Sequence, residues 1–309
     1  MRSRLLLTMV MVFATLDAFG QTAAPSDKAK RCAIRLAISV TGKSPTSALL
    51  GQVDPQTQVD ALLATPDFIE SFSRFVNAMF NDEPGATSAE DSAYHLTRYL
   101  LTNGKGWEDL FLGPYKVDVD PADKTKVLVS NDANGLGYFR SLPWLKRYAG
   151  NELAGIKIST AYRMLNNTLG IKLQAVTNTD GLDISAAGRE SPACRGCHYD
   201  GWFALDKTAS VLTRRNGTGD SMKFDPPTAG PQQLLGGITI ANDKELMTAL
   251  VKSEAFRFNA CRLAFQYLYG RAERTCEGPV FDTCMAAYAK AGTIQSALAA
   301  VAKDATFCQ

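Results

Sequence analysis

The stretch VDALLATPDFIESFSRFVNAMF, residues 59–80, decides the fold class. Val59, Leu62, Leu63, Phe68, Ile69, Phe72, Phe75, Val76 and Met79 recur at spacings of three and four, the period of one helix face. Thr65-Pro66-Asp67 divides the run. Proline suits the first turn of a helix, where its missing N–H leaves no hydrogen bond unmade, so the pattern predicts two helices rather than one.

Outward from there the helical period returns. Ser88-Ala89-Glu90-Asp91 offers a capping hydroxyl ahead of Leu96, Leu100 and Leu101, and Asn103-Gly104 stops that helix. Arg147 to Leu173 is expected to be helical in part, and Phe203 to Leu212 reads as a short apolar helix. Phe256, Ala260, Leu263, Leu268, Val280, Met285, Tyr288, Leu298 and Val301 mark three or four C-terminal helices separated by Gly270, Gly278 and Gly292. Residues 113–140 read as a long loop with one short strand around Lys126-Val127-Leu128-Val129, and residues 215–237 as a second loop. A mainly α fold is predicted.

The chain has 309 residues, 46% of them hydrophobic, enough for a sizeable core. Its 33 basic and 31 acidic residues are spread without a basic block or acidic tail, so no nucleic-acid partner is expected. Arg2 and Arg4, the apolar run Leu5 to Leu16 and then Ala18-Phe19-Gly20 follow the charged, apolar, small-residue order of a secretory signal. That run is shorter than the roughly 20 residues a spanning helix needs, and Asp17 interrupts it. The first cysteine, Cys32, follows Lys28-Ala29-Lys30-Arg31 rather than a small-residue cleavage site, which argues against a lipid anchor. A periplasmic or secreted chain, soluble after signal removal, is expected, in a compartment where disulfides persist.

The chemistry concentrates in Cys194-Arg195-Gly196-Cys197-His198. This is the C-x-x-C-H pattern of covalent c-type haem attachment. Two thiols three positions apart on a turn reach the two vinyl groups on one porphyrin edge, and the adjacent imidazole is directed at the iron. The expected cofactor is therefore one covalently attached haem c with its iron, installed by a cytochrome c maturation machinery. A zinc site would draw on a second Cys or His pair that the chain lacks. A thioredoxin-like redox pair would sit at a helix start after a strand, whereas a polar loop, residues 178–192, precedes this motif. A plain disulfide would leave His198 unexplained.

His198 is the expected proximal iron ligand, its other ring nitrogen donating to a backbone carbonyl. For the distal position the first candidate is Met222, in the Gly- and Pro-rich loop after the motif, and the alternative is His95, the only other histidine. Met164, Met247 and Met285 read as core residues. Of the five remaining cysteines, Cys261 with Cys284 is the preferred disulfide, and Cys276 with Cys308 or Cys32 a second. Two patterns are decoys. Thr41-Gly42-Lys43-Ser44 lacks the first glycine of a phosphate loop, since Ala37 stands there, and Asp118, Asp120 and Asp123 lack the glycine and glutamate of a calcium loop. Both read as ordinary turns.

The expected organisation is a signal peptide over 1–20, a flexible lead-in over 21–30, a helical N-terminal domain over 31–112, a loop-rich middle over 113–190 and a c-type haem domain with C-terminal helices over 191–309. Several stretches resemble the secreted cytochrome-c-like multidomain proteins of planctomycetes and myxobacteria. They are Arg35 to Thr46 with the helix pair through Phe80, Gly155 to Leu173, Cys194 to Leu205 with Gly201-Trp202-Phe203-Ala204-Leu205, and Phe256 to Arg271. The Asp-Pro pair that commonly precedes the Gly-Phe-Ala-Leu element in that group is missing here. The resemblance implies functional roles for Cys194, Cys197 and His198 only. Residues and resemblance together lead to an electron carrier without a substrate of its own, working with a redox partner protein. The alternatives are a haem enzyme or small-ligand sensor with an open iron position, where His95 or Arg98 acts on the ligand, and an accessory module of a secreted oxidoreductase complex.

Overall fold

The computed structural model describes residues 24–85, 91–123, 125–141, 144, 148, 158–173, 180–217 and 223–309. The expected signal segment, the Ser88 cap and Met222 lie outside them. Helix dominates, as the periodicity predicts. The N-terminal helices are α1 (Asp27–Thr41), α2 (Ser47–Leu50), α3 (Val59–Leu62), α4 (Pro66–Phe80), α5 (Ser92–Thr102) and α6 (Asp109–Leu112).

The Thr65-Pro66 division stands where expected: Thr65 Oγ1 accepts the N–H of Phe68 at 3.2 Å, capping α4, and Pro66 opens the helix. The face of α4 that turns inward carries Phe68, Phe72, Val76 and Phe80. Met79 is 41% exposed instead, because Phe80 occupies the inward position at the end of that four-residue series. Order begins earlier than the lead-in predicted. Ser26 Oγ accepts the N–H of Ala29 at 3.1 Å, so α1 starts at Asp27 and buries Ala29 and Cys32 on its inner face.

The loop expected over 113–140 contains a hairpin, β1 (Tyr115–Val119) with β2 (Val127–Asn131), paired antiparallel from Tyr115 opposite Asn131 to Val119 opposite Val127. Tyr115 and Val117 supply the buried face of β1. The carboxylates here serve turns and surface pairs: Asp120 accepts the N–H of Ala122, Asp123 that of Thr125, and Asp118 pairs with Lys116. The other decoy is the end of α1, where Gly42 caps the helix at φ 70° and donates to Ile38 O.

Beyond it come α7 (Ile158–Leu169), α8 (Ala186–Arg189), α9 (Pro192–Arg195) and α10 (Leu205–Ser210). The segment read as a second loop forms two small antiparallel hairpins, β3 (Arg214–Asn216) with β4 (Lys223–Asp225) and β5 (Gln232–Leu234) with β6 (Ile238–Ile240). Three residues per strand are too few for an alternation to be visible in sequence. The C-terminal helices are α11 (Asp243–Val251), α12 (Glu254–Tyr269), α13 (Gly278–Ala291) and α14 (Ile294–Ala302). Gly270 and Gly292 end α12 and α13 in the left-handed conformation, whereas Gly278 is the first residue of α13.

The N-terminal, middle and C-terminal regions share one buried cluster that runs from Cys32 to Phe307. Arg140 ties the middle to the C-terminal part, its Nη2 donating to Thr213 Oγ1 at 2.8 Å and Asp243 Oδ1 at 2.9 Å. Tyr267 on α12 donates to Val40 O on α1 at 2.6 Å, and burial pushes its phenol up to about 12.

Cys261 and Cys284 join α12 to α13, the pairing preferred from sequence. The second bridge differs from the expectation. Cys32 pairs with Cys308, leaving Cys276 exposed and unpaired on a single helical turn. The chain end is held against α1 by Arg35, whose guanidinium lies 4.6 Å from the Phe307 ring centre and 5.1 Å from that of Tyr269.

The two bridges close loops of very different length, 276 and 23 residues apart in sequence. Chain-entropy reasoning gives the long one about 6 kcal/mol and the short one about 3 kcal/mol. Urea unfolding of Cys32→Ser with Cys308→Ser is therefore expected to show the larger loss, and Cys261→Ser with Cys284→Ser the smaller.

Candidate functional site

Ser191 and Pro192 start the short helix α9, and its turn widens into a π-helical turn over Gly196–Asp200 that carries the rest of the motif. Cys194 and Cys197 lie three residues apart on this continuous turn, so they share a face. Cys194 is half-buried and Cys197 exposed, and both are free thiols, not bonded to one another. Arg195 Nε donates to Asp200 Oδ2 at 2.8 Å and closes the turn on its outer side.

After His198 the chain reverses within six residues. Gly201 packs so tightly that a Cβ there would stand 2.3 Å from Gly196 O, which restricts the position to glycine. Ala204 takes φ 32°, in the left-handed region that alanine avoids, and α10 starts directly after it. The reversal returns Asp206, in the first turn of α10, to the ring of His198. The hairpin β5–β6 braces it, the N–H of Leu235 donating to Trp202 O at 3.0 Å. Behind it α10 packs on α7, and Asn259 of α12 donates to Thr168 O at the end of α7 at 3.2 Å.

His198 Nδ1 lies 2.6 Å from Asp206 Oδ2. A carboxylate only accepts, so the ring carries a proton on Nδ1, and Nε2 is the ring nitrogen left to face a ligand. The sequence expectation of a backbone carbonyl partner is thereby corrected. Asp206 is buried, its side chain 5% exposed, and it is matched by Arg189 at the end of α8. Arg189 Nε reaches Oδ1 at 3.1 Å and Oδ2 at 3.2 Å, Nη2 reaches Oδ1 at 3.0 Å, and Nη1 donates to Ile184 O at 2.8 Å. Burial and then the Asp206 and Glu190 carboxylates push the neighbouring Tyr199 phenol up.

This donor set suits a covalently attached haem. It offers two unpaired thiols on one face of a turn, next to an imidazole whose inner nitrogen is occupied by Asp206, so that the other nitrogen is the one that would meet iron. Gly196, between the cysteines, has nothing within 4 Å of the place a Cβ would take. Among the described residues no three His, Cys, Asp or Glu side chains gather as they would around a bare metal ion.

Of the two distal candidates, Met222 lies outside the described residues, and His95 stands on a helix that packs away from the motif. His95 lies half-buried on α5, edge-on to Tyr94 with ring centres 5.0 Å apart. α5 packs chiefly on α4, α6 and the β1–β2 hairpin, none of which carries the motif. Arg98, on the same helix, donates to Glu70 Oε2 at 2.6 Å and Tyr94 Oη at 3.0 Å. Met164 and Met247 are buried in the core and Met285 packs against it.

Asp206 and Arg189 are the residues that sequence reasoning missed. One signal was available: Asp206 is the only acidic residue in the apolar segment 203–212, on the side that turns inward with Leu205 and Ala209. Compared with known proteins, the chain matches no family model, no curated protein and no solved structure.

The exposure pattern predicts how the thiols react. In the folded chain free of any attached group, Cys197 and Cys276 are expected to react rapidly with an aromatic disulfide reagent and the half-buried Cys194 more slowly. The four disulfide-bonded cysteines should remain silent until reduction, so three titrating thiols per chain is the expected count.

Proposed function

We propose that this chain is an exported monohaem c-type cytochrome that transfers electrons. The observation that carries the reading is the outward-facing donor set: two free thiols and an imidazole held by Asp206 through its inner nitrogen. When bound, haem supplies a one-electron ferric/ferrous couple. Cys194 and Cys197 would tether it by thioether bonds. His198 would hold the iron through Nε2, while the proton on Nδ1 stays with Asp206 and the ring remains neutral.

Export is part of the same proposal. The residues from Arg2 to Gly20 have the order of a secretory signal, and the two disulfides suit an oxidising compartment. Among the described residues no helix is long and apolar enough to cross a membrane. The resemblance to secreted cytochrome-c-like proteins points the same way. A redox partner protein would deliver and remove the electron, and the chain would convert no substrate itself.

The test is spectroscopic, on the full chain produced with a cytochrome c maturation system. An electron carrier is expected to show low-spin bands when reduced and to ignore carbon monoxide. Ready binding of carbon monoxide would overturn electron transfer in favour of an open-site enzyme or sensor. On a denaturing gel stained for haem, the wild type should stain, and Cys194→Ser with Cys197→Ser should lose the stain. His198→Ala should retain part of it, since the thioether bonds do not pass through the imidazole. With haem attached, the titrating thiols should fall from three to Cys276 alone.

A further inference from the structure

Beside the motif stands a buried charge pair that attachment of a porphyrin does not require. Nδ1 of His198 could have been satisfied by any backbone carbonyl, a neutral acceptor available on every residue. Instead it faces a carboxylate whose side chain is 5% exposed, opposite a guanidinium that is 18% exposed. Burying a carboxylate costs free energy, and the cost is tolerable only when a cation and hydrogen bonds meet it. Here the fork of Arg189 meets both oxygens, and Ile184 O fixes the third arm.

We propose that Asp206, with Arg189 as its counter-charge, is the positioning residue that sets how strongly His198 donates to the iron and thereby tunes the reduction potential. The proposal rests on the haem reading above and goes beyond it, since attachment needs neither residue. A carboxylate draws the Nδ1 proton toward itself and shifts electron density onto the imidazole. Nε2 becomes a stronger donor. Stronger donation favours ferric over ferrous iron and moves the midpoint to more negative values. Arg189 works in the opposite sense: it draws charge out of the carboxylate and moderates the pull on the ring. The pair therefore holds an intermediate setting that the removal of either member should disturb in opposite directions.

A charge-assisted hydrogen bond is about twice as strong as a neutral one, which makes the exchange of carboxylate for amide readable. In the haem-loaded chain, titrated electrochemically, Asp206→Asn is expected to lower the ferric-to-ferrous ratio at a fixed potential about tenfold, a shift of about 59 mV for one electron. Asp206→Glu should return the midpoint toward the wild type, and Arg189→Gln should move it to more negative values. A second readout needs no haem. The chain has two histidines, so 15N-histidine spectra of the unloaded protein are simple to assign with a His95→Gln variant. They should show His198 protonated at Nδ1, with Asp206→Ala moving the proton to Nε2.

Equal midpoints in wild type and Asp206→Asn would overturn the proposal, and so would an Nε2-protonated His198 in the unloaded wild type. Failure of the haem reading looks different. The wild type would then take up no haem under maturation conditions, while the spectra of the unloaded chain would still report whether Asp206 holds the ring.

Discussion

A carboxylate with almost no water around it governs the architecture of the site. Asp206, carried by α10, must be met by a cation and by donors, and the chain supplies them from two further elements: Arg189 from the end of α8 and His198 from the π-helical turn. Each contact constrains the others. The fork of Arg189 fixes the plane of the carboxylate, the carboxylate fixes the tautomer and direction of the imidazole, and the imidazole is fixed relative to the two thiols by the turn they share. Conformational freedom is removed from His198 in the folded chain itself, which is what the proposed haem would ask of a ligand that must meet iron at one angle.

The surrounding fold makes that arrangement durable. α10 rests on α7, α7 is tied to α12 through Asn259, and α12 is held to α13 by Cys261–Cys284 and to α1 through Tyr267 and Val40. The Cys32–Cys308 bridge then joins the two ends of the described chain. A motif on a short, exposed turn would otherwise belong to the least stable part of a protein. Here the turn is backed by a continuous core, and its tight reversal at Gly201 leaves little room for alternative paths.

Much of this was legible in the sequence, and the boundary of legibility has a physical cause. Cys194, Cys197 and His198 stand out in the sequence because their pattern is local, and the structure keeps these five consecutive positions on one continuous turn. The helices could be read because burial imposes its period over ten or more residues, as in α4 with its proline at the start. Cys261 and Cys284 sit on successive helices, so their pairing followed from order along the chain. Cys32 and Cys308 are 276 residues apart, and it is tertiary packing, with Arg35 over the Phe307 ring, that brings that end to α1. The partner of His198 was misread for a similar reason. Nothing in the letters Gly201-Trp202-Phe203-Ala204 announces that alanine will adopt φ 32° and turn the following helix back under the histidine. The strand expected around Lys126-Val127-Leu128-Val129 is β2, whereas its partner β1 and the three-residue strands β3 to β6 escaped because so few residues cannot display a period.

The proposed covalent capture of one porphyrin by the two thiols of the turn is what intact-protein mass spectrometry measures directly. The full chain, produced in a host with a cytochrome c maturation system, is predicted to carry the mass of one haem per polypeptide, and Cys194→Ser with Cys197→Ser to lose it. A wild-type polypeptide that emerges colourless and at the mass of its amino acids alone would contradict the account.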